Sequence, residues 1–159
     1  DLGMIHFQEY WVRAKGKIEI QGVVRSFNEP PVATEEVLST IEASDAVVIG
    51  PSNPITSISP ILTCDGMKPA LKDKFVIAVS PFIGHAPVSG PAGALMEAAG
   101  YEPSAIGTFN CYGGIPDVFV QDVRDEVAVS HSVRFDTLMT DEDKSIAFAR
   151  DILSLIKNG

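Results

Sequence analysis

Ala46-Val47-Val48-Ile49-Gly50-Pro51-Ser52-Asn53-Pro54-Ile55-Thr56-Ser57-Ile58 is the stretch on which the reading of this chain turns. Its first four residues are uncharged and mostly β-branched, the pattern of a short strand buried on both faces. From Gly50 to Ser57 the composition reverses to glycine, two prolines, asparagine and three hydroxyls. Gly50 ends the strand without a side chain, so another group can approach the backbone closely. Pro51 and Pro54 stiffen the loop before anything binds. Ser52, Asn53, Thr56 and Ser57 then offer neutral polar groups at the carboxyl end of a strand, where open parallel sheets take their ligands. Each residue alone fits an ordinary turn with a helix cap. The octet together fits a ligand loop as well as that turn.

Working upstream, Thr34 is an N-cap followed by Glu35 and Glu36, carboxylates that favour the positive end of a helix dipole. Val37, Leu38 and Ile41 are its expected buried face, and Ser44-Asp45 ends it. Helix, tight turn and strand make half of a βαβ unit. Residues 28–31 carry a double proline and read as a turn. Residues 17–27, with Ile18, Ile20, Val23 and Val24 around Gly22, read as a half-buried strand with a bulge or turn. Residues 2–12 leave helix and strand both open.

Working downstream, a short helix starts near Ser59-Pro60, and 67–72 holds one or two helical turns. Residues 75–79 form a second aliphatic strand, and the grammar repeats. Residues 80–89 are a loop with Pro81, Gly84, His85 and Pro87. Gly90-Pro91 opens a helix and Gly100 closes it. Residues 103–112 suit another helix, capped by Glu102 or Ser104 and stopped by Gly113-Gly114. A third strand falls within 117–122 and a fourth within 133–138. The last helix begins at the acidic run 140–143, with Ile146, Ala149, Ile152, Leu153 and Ile156 at helical spacing, and ends at Lys157-Asn158-Gly159. Repeated strand–loop–helix units predict an α/β, doubly wound sheet with helices on both faces. Residues 1–30 are a peripheral segment and 31–159 the βα units, the whole being one domain or half of one.

The chain has 159 residues, room for one core without staples, and a net charge of −9. That charge argues against a nucleic-acid partner. No apolar run is long enough for a membrane span. Cys64 and Cys111 indicate neither a disulfide framework nor a zinc site, and a reducing cytoplasm suits them. The chain opens at Asp1 without methionine, as a fragment or processed product would. No Lys or Arg lies between Arg25 and Lys68 or between Lys74 and Arg124. Both candidate loops fall in those gaps. A phosphorylated ligand there would be held by backbone N–H groups and hydroxyls.

Nothing else in the sequence names a reaction. Neither common phosphate-binding glycine motif is present, and His6, His85 and His131 are far apart. His85, in the second loop, is the one histidine placed for a ligand role, and a lone loop histidine is more often solvated than functional. Asp45 reads as a turn residue. Asp117, Asp122, Asp125 and Asp136 read as solvated carboxylates, with metal binding as the alternative. No nucleophile–base pair is recognisable by spacing.

The run from Ile49 to Ile58, followed at once by Pro60-Ile61-Leu62, resembles the 2-phospho-L-lactate transferase (CofD) family. The likeness continues at Ala78-Val79-Ser80-Pro81-Phe82-Ile83-Gly84, at Val88-Ser89-Gly90-Pro91-Ala92 and at Phe7-Gln8-Glu9-Tyr10-Trp11-Val12. The resemblance implies a Rossmann-like fold. It implies transfer of a phospholactyl group from guanosine diphosphate-linked lactate to a deazaflavin alcohol, in making coenzyme F-420, with magnesium as cofactor and GMP released. A second copy of the chain is a candidate partner, as a homodimer. Carried over by motif, Gly50, Pro51, Ser52, Asn53, Pro54 and Ser57 would face the nucleotide-linked substrate. The loop carrying Ser80, Gly84 and Gly90 would form a neighbouring wall. The family's chain is about twice as long, and its N-terminal half brings a glycine-rich strand–loop–helix, a metal-binding aspartate and deazaflavin contacts. This chain matches the C-terminal half, so a partial sheet is expected, without activity on its own.

Two other classes stay open. One is a nucleotide-sugar-binding regulator of the same superfamily, whose members tend to carry glycine-serine-leucine where this chain has Ser52-Asn53-Pro54. The other is a non-catalytic structural half whose loops are only turns.

Overall fold

Alternation along one central strand sets the layers. In β2 (Phe75–Val79), Val76 and Ala78 face one way and Ile77 and Val79 the other, as the two-residue period of a strand requires. In the computed structural model, which describes residues 3–84, 86–88 and 90–158, this strand lies inside a parallel sheet ordered β1-β2-β5-β6. The other strands are β1 (Ala46–Ile49), β5 (Val118–Asp122) and β6 (Ser132–Phe135), with β3 (Phe82–Ile83) and β4 (Ala86–Pro87) forming a separate antiparallel hairpin. Register is in step from Ala46 opposite Phe75 to Ile49 opposite Ala78, so β1 and β2 end within one residue of each other.

On one face Val76, Ala78 and Phe119 pack with Ile41 of α1 (Glu35–Ala43), Leu62 of α2 (Ser59–Leu62), Leu71 of α3 (Met67–Lys72) and Ala105 of α5 (Ala105–Cys111). On the other, Ile77, Val79 and Val120 meet Phe148 and Ile152 of α6 (Glu142–Asn158). Helices therefore cover both faces, as the strand–loop–helix repeat predicts, and the sheet is of the Rossmann-like kind that the resemblance implies. A third cluster sits beyond the strand ends. There Tyr10, Ile55 and Phe82 join Ala92, Leu95 and Met96 of α4 (Ala92–Ala98).

Local signals act as written. The Thr34 hydroxyl accepts from the Val37 N–H at 3.4 Å, and the Ser104 hydroxyl from the Gly107 N–H at 3.1 Å. At the last helix, Asp141 accepts from the Lys144 N–H at 2.9 Å. The far end of α1 is closed from a distance. Lys74 donates its Nζ to the carbonyls of Glu42 at 2.6 Å and Ser44 at 3.1 Å, a cation at the negative end of a helix.

Several expectations need correction, and one open question closes. Residues 17–27 form no strand, because no neighbouring strand accepts them. Ile18 and Ile20 pack on the third cluster, Val23 and Val24 are exposed, and Arg25 ties the segment to α2 through Thr63 Oγ1 and the Ser59 carbonyl. The undecided start of the chain contains a π-helical turn, Glu9–Arg13, around buried Tyr10. Strand β1 is covered on one face only. It lies at the sheet edge, beyond α6, and Val48 is 46% exposed. On α1 Val37 is exposed and Ile41 carries the buried face. The buried stripe of α6 is likewise turned from the expected one: Phe148 and Ile152 are buried while Ile146, Ala149 and Leu153 face out.

Candidate functional site

Strands β1, β2 and β5 all run the same way, so the segments after Ile49, Val79 and Asp122 gather at one end of the sheet. The first of these begins at Gly50, whose backbone is not left-handed. A Cβ built there would meet nothing within 4 Å. The glycine thus borders open space, and its missing side chain leaves room rather than relieving strain. Ser52 turns its N–H back to the Gly50 carbonyl at 2.8 Å. Asn53 then caps the helix that follows. Its Oδ1 accepts from the N–H groups of Ile55 at 2.9 Å and Thr56 at 3.2 Å. A π-helical turn, Pro54–Ile58, runs directly into α2, with proline at its first position.

The loop therefore offers fewer backbone donors than its composition implies, since the N–H groups of Ser52, Ile55 and Thr56 are taken internally. What it presents is side-chain chemistry. The hydroxyls of Ser52, Thr56 and Ser57 and the Nδ2 of Asn53 make no hydrogen bond among the described residues, and none of these side chains is buried.

The second loop is a hairpin. Phe82 pairs with Pro87 and Ile83 with Ala86. Its entry is fixed by Ser80, which is buried. The Ser80 N–H donates to the Val120 carbonyl at 2.9 Å, and its hydroxyl accepts from the Phe82 N–H at 3.1 Å. Gly84 turns the hairpin at φ +59° and gives its N–H to Asp125 Oδ1 at 2.6 Å. Gly90, at φ +69°, precedes Pro91 and α4. His85 and Ser89 lie outside the described residues. The two loops approach through the third cluster, where Ile55 below the first loop and Phe82 of the hairpin share neighbours.

The predicted site residues divide accordingly. Gly50, Pro51, Ser52 and Gly90 are exposed, and Asn53, Ser57 and Gly84 are half-buried. Pro54 and Ser80 are buried, so their part is to shape the two loops. The end of β5 supplies what sequence reasoning missed. Asp122 and Asp125 are buried, against the expectation of solvated carboxylates. Asp122 accepts from the backbone N–H of Arg124, its guanidinium, and the N–H and hydroxyl of Thr137, each at 2.9 Å. The same guanidinium reaches Asp136 at 2.7 Å. This hydrogen bond, with Leu138 N–H adding to it, holds the Asp136 carboxyl below its ordinary range. Asp117 is exposed and binds the Val76 N–H at 2.8 Å, a sheet contact. The legible signal was Gln121-Asp122 continuing an aliphatic strand without a break: polar residues on a central strand end are buried and must find partners.

These pairings decide what the site can hold. Arg124 is the basic residue nearest the strand ends in sequence, and two carboxylates occupy it. A divalent cation finds no group of three or more His, Cys, Asp or Glu side chains among the described residues able to hold it. Asp122 and Asp125 already accept from protein donors, so among the described residues neither stands free as a magnesium ligand. Tyr112 is buried, and its hydroxyl has no partner among the described residues. Burial, with neighbouring Cys111 adding to it, pushes that phenol up. No helix among the described residues is long and apolar enough to cross a membrane.

A parallel sheet with helices on both faces is a Rossmann-like α/β fold, a class whose members take their ligands at the strand ends where this chain has its stiff, hydroxyl-bearing loop. The family model described as 2-phospho-L-lactate transferase CofD matches residues 1–152. The chain belongs to that family. It is 52% identical over 157 residues to a 2-phospho-L-lactate transferase of Methanocorpusculum labreanum, covering 97% of this chain and 52% of the relative. It is 49% identical over 152 residues to one of Methanospirillum hungatei, covering 96% and 51%. With one of Methanopyrus kandleri it shares 44% over 167 residues, covering 99% and 53%. The chain thus spans about half the length of the curated relatives it matches.

Proposed function

We propose that the whole protein transfers a 2-phospholactyl group from guanosine diphosphate-linked lactate to a deazaflavin alcohol, a step in making coenzyme F-420, in the cytoplasm. The alcohol oxygen forms a new bond to the lactate-bearing phosphorus. The bond from that phosphorus to the bridging oxygen breaks, GMP leaves with the oxygen, and the alcohol gives up its proton. Such transfers rest on positioning and on balancing charge rather than on a protein nucleophile.

One observation carries the assignment of the donor to this half: the Gly50 loop, open at the strand end, with three hydroxyls and an amide free to donate. Ser52, Thr56 and Ser57 hydroxyls and Asn53 Nδ2 hold and orient the phosphate-bearing end of the donor. Pro51 and Pro54 keep that arrangement stiff in the absence of ligand. The hairpin at Gly84 walls the site on the β2 side. Magnesium is the cofactor we propose from the family. Its ligands lie beyond the described residues, and no step is assigned to it. Consistent with that, residues 1–159 alone are expected not to catalyse the transfer.

The test compares the whole protein with residues 1–159, supplying magnesium, the guanosine-linked donor and the deazaflavin alcohol, and measuring GMP. Release by the whole protein alone supports the reading. Equal rates from both overturn the division of labour, and no release from either overturns the reaction. Titration with guanosine nucleotides and UDP-sugars separates the remaining classes. Guanosine preference supports the transferase, UDP-sugar preference a regulator, and no binding a structural role.

A further inference from the structure

The hairpin of the second loop hangs on a buried carboxylate that no part of the proposed transfer uses. Asp125 is 5% exposed, and its two oxygens meet two donors. Oδ1 accepts from the Gly84 N–H at 2.6 Å, and Oδ2 accepts from Gln121 Nε2 at 3.3 Å. No cation pairs with it among the described residues.

Gln121 fixes which atoms face Asp125. It is fully buried in β5, and its Nε2 also donates to the Val127 carbonyl at 2.9 Å. Its Oε1 accepts from the Val129 N–H at 2.7 Å and the Ser132 hydroxyl at 2.8 Å. Turning the amide over would set its oxygen against the Val127 carbonyl and its nitrogen against the Val129 N–H. The amide therefore has one orientation, with a donor pointing at residue 125. Residue 125 must accept on both sides. An ionised aspartate does so; asparagine, with one acceptor and one NH2, does not.

The network also explains the β5–β6 connection. The two strands are parallel neighbours, yet residues 123–131 cross between them without a helix. Gln121 binds Val127, Val129 and Ser132 of that crossing and of β6, and Asp125 extends the network across to β2's hairpin. Gly84 sits beside the crossing: a Cβ there would lie at ordinary contact distance, 3.9 Å, from the Arg124 carbonyl.

We propose that Asp125 is a positioning residue. Its carboxylate, aimed by Gln121, holds the Gly84 turn against the β5 end and so sets the wall of the ligand site beside the Gly50 loop. The proposal rests on the reading of that hairpin as a wall. It adds a residue the loop motifs do not contain, 41 positions away from Gly84 in the chain.

The experiment uses the whole protein, with Asp125→Asn and the unaltered form, and two measurements. Amide exchange at Gly84 reports the anchor without reference to activity. Steady-state GMP release reports the wall. In the unaltered protein Gly84 should exchange as slowly as Val129, whose N–H is held by Gln121. In Asp125→Asn, exchange at Gly84 should quicken at least tenfold, while KM for one substrate rises about tenfold and kcat stays within about threefold. Fast Gly84 exchange in the unaltered protein overturns the proposal even if the variant fails to fold. A lowered Tm with unchanged KM in the folded variant makes Asp125 purely structural and also overturns it. If the unaltered protein releases no GMP, the transfer reading fails and exchange at Gly84 alone decides whether the anchor exists.

Discussion

The two loops at the end of this sheet are built by different means. The Gly50 loop is shaped by its own neighbours: Ser52 bonds to Gly50, Asn53 to Ile55 and Thr56, and two prolines limit the backbone. The hairpin after β2 has its own pairing and the Ser80 turn, and in addition is tied down from outside. Val120 fixes Ser80, and Asp125 fixes Gly84. A self-supporting loop can present free polar groups to a ligand. A loop held by distant residues transmits whatever happens at those residues, here the end of β5.

Several substitutions would break that contrast or sharpen it. The largest effect is expected at Asp122→Ala, which removes the acceptor for the buried Thr137 hydroxyl and N–H and for Arg124. Stability should fall by about 3 kcal/mol, since each buried group left unsatisfied costs ~1–3 kcal/mol. Denaturant unfolding checks this, and a loss under 1 kcal/mol would mean the β5 end is not an anchor. Next is Gly50→Val. Because a side chain there points into open space, the fold should stay within ~0.5 kcal/mol while donor affinity drops about 100-fold, equivalent to ~2.7 kcal/mol. Calorimetric titration of the whole protein would show it, and unchanged affinity removes Gly50 from the site.

Gly84→Ala should cost about 1–2 kcal/mol, the penalty for a side chain in the left-handed region, against φ +59°. The same change at Gly50 carries no such penalty, so the pair of unfolding curves measures the contrast directly. Asn53→Ala should lower stability by ~1 kcal/mol through the lost cap, and weaken donor binding as well. Loss of affinity without loss of stability would mean the cap bond is dispensable.

The smallest effect concerns pH. Asp136 has a depressed folded pKa, chiefly through Arg124, so its contribution is present above its unfolded pKa and fades as pH falls through the lower folded value. An NMR titration should place the Asp136 midpoint below ordinary aspartate. Arg124→Met should move it up, and an unmoved midpoint would assign the shift to another cause.

How far the sequence was legible follows the same division. Thr34, Ser104 and Asp141 act within four residues of themselves, and each helix start they predict is present. Apolar runs at 46–49, 75–79 and 118–120 lie in strands because a β-branched or aromatic, uncharged run has few other places to go. The same run did not reveal that β1 is an edge strand with Val48 exposed, since pairing depends on what lies alongside. Residues 17–27 alternated correctly and still formed no strand, for want of a partner.

At the site, sequence by itself determined that a stiff, polar loop follows β1, since its glycine, prolines and hydroxyls act over two or three residues; the structure moved the helix start from Ser59 back to Pro54, with Asn53 as the cap. Only the tertiary structure decided the fate of the aspartates. On paper Asp122 and Asp125 belonged to an acidic surface. In the fold, parallel pairing of β5 between β2 and β6 removes both from water and sets Gly84, Gln121, Arg124 and Thr137 around them. Burial makes an unpartnered carboxylate costly, so these side chains became the ties between strand ends. That requirement arises from the depth at which the residues lie, which no spacing along the chain encodes.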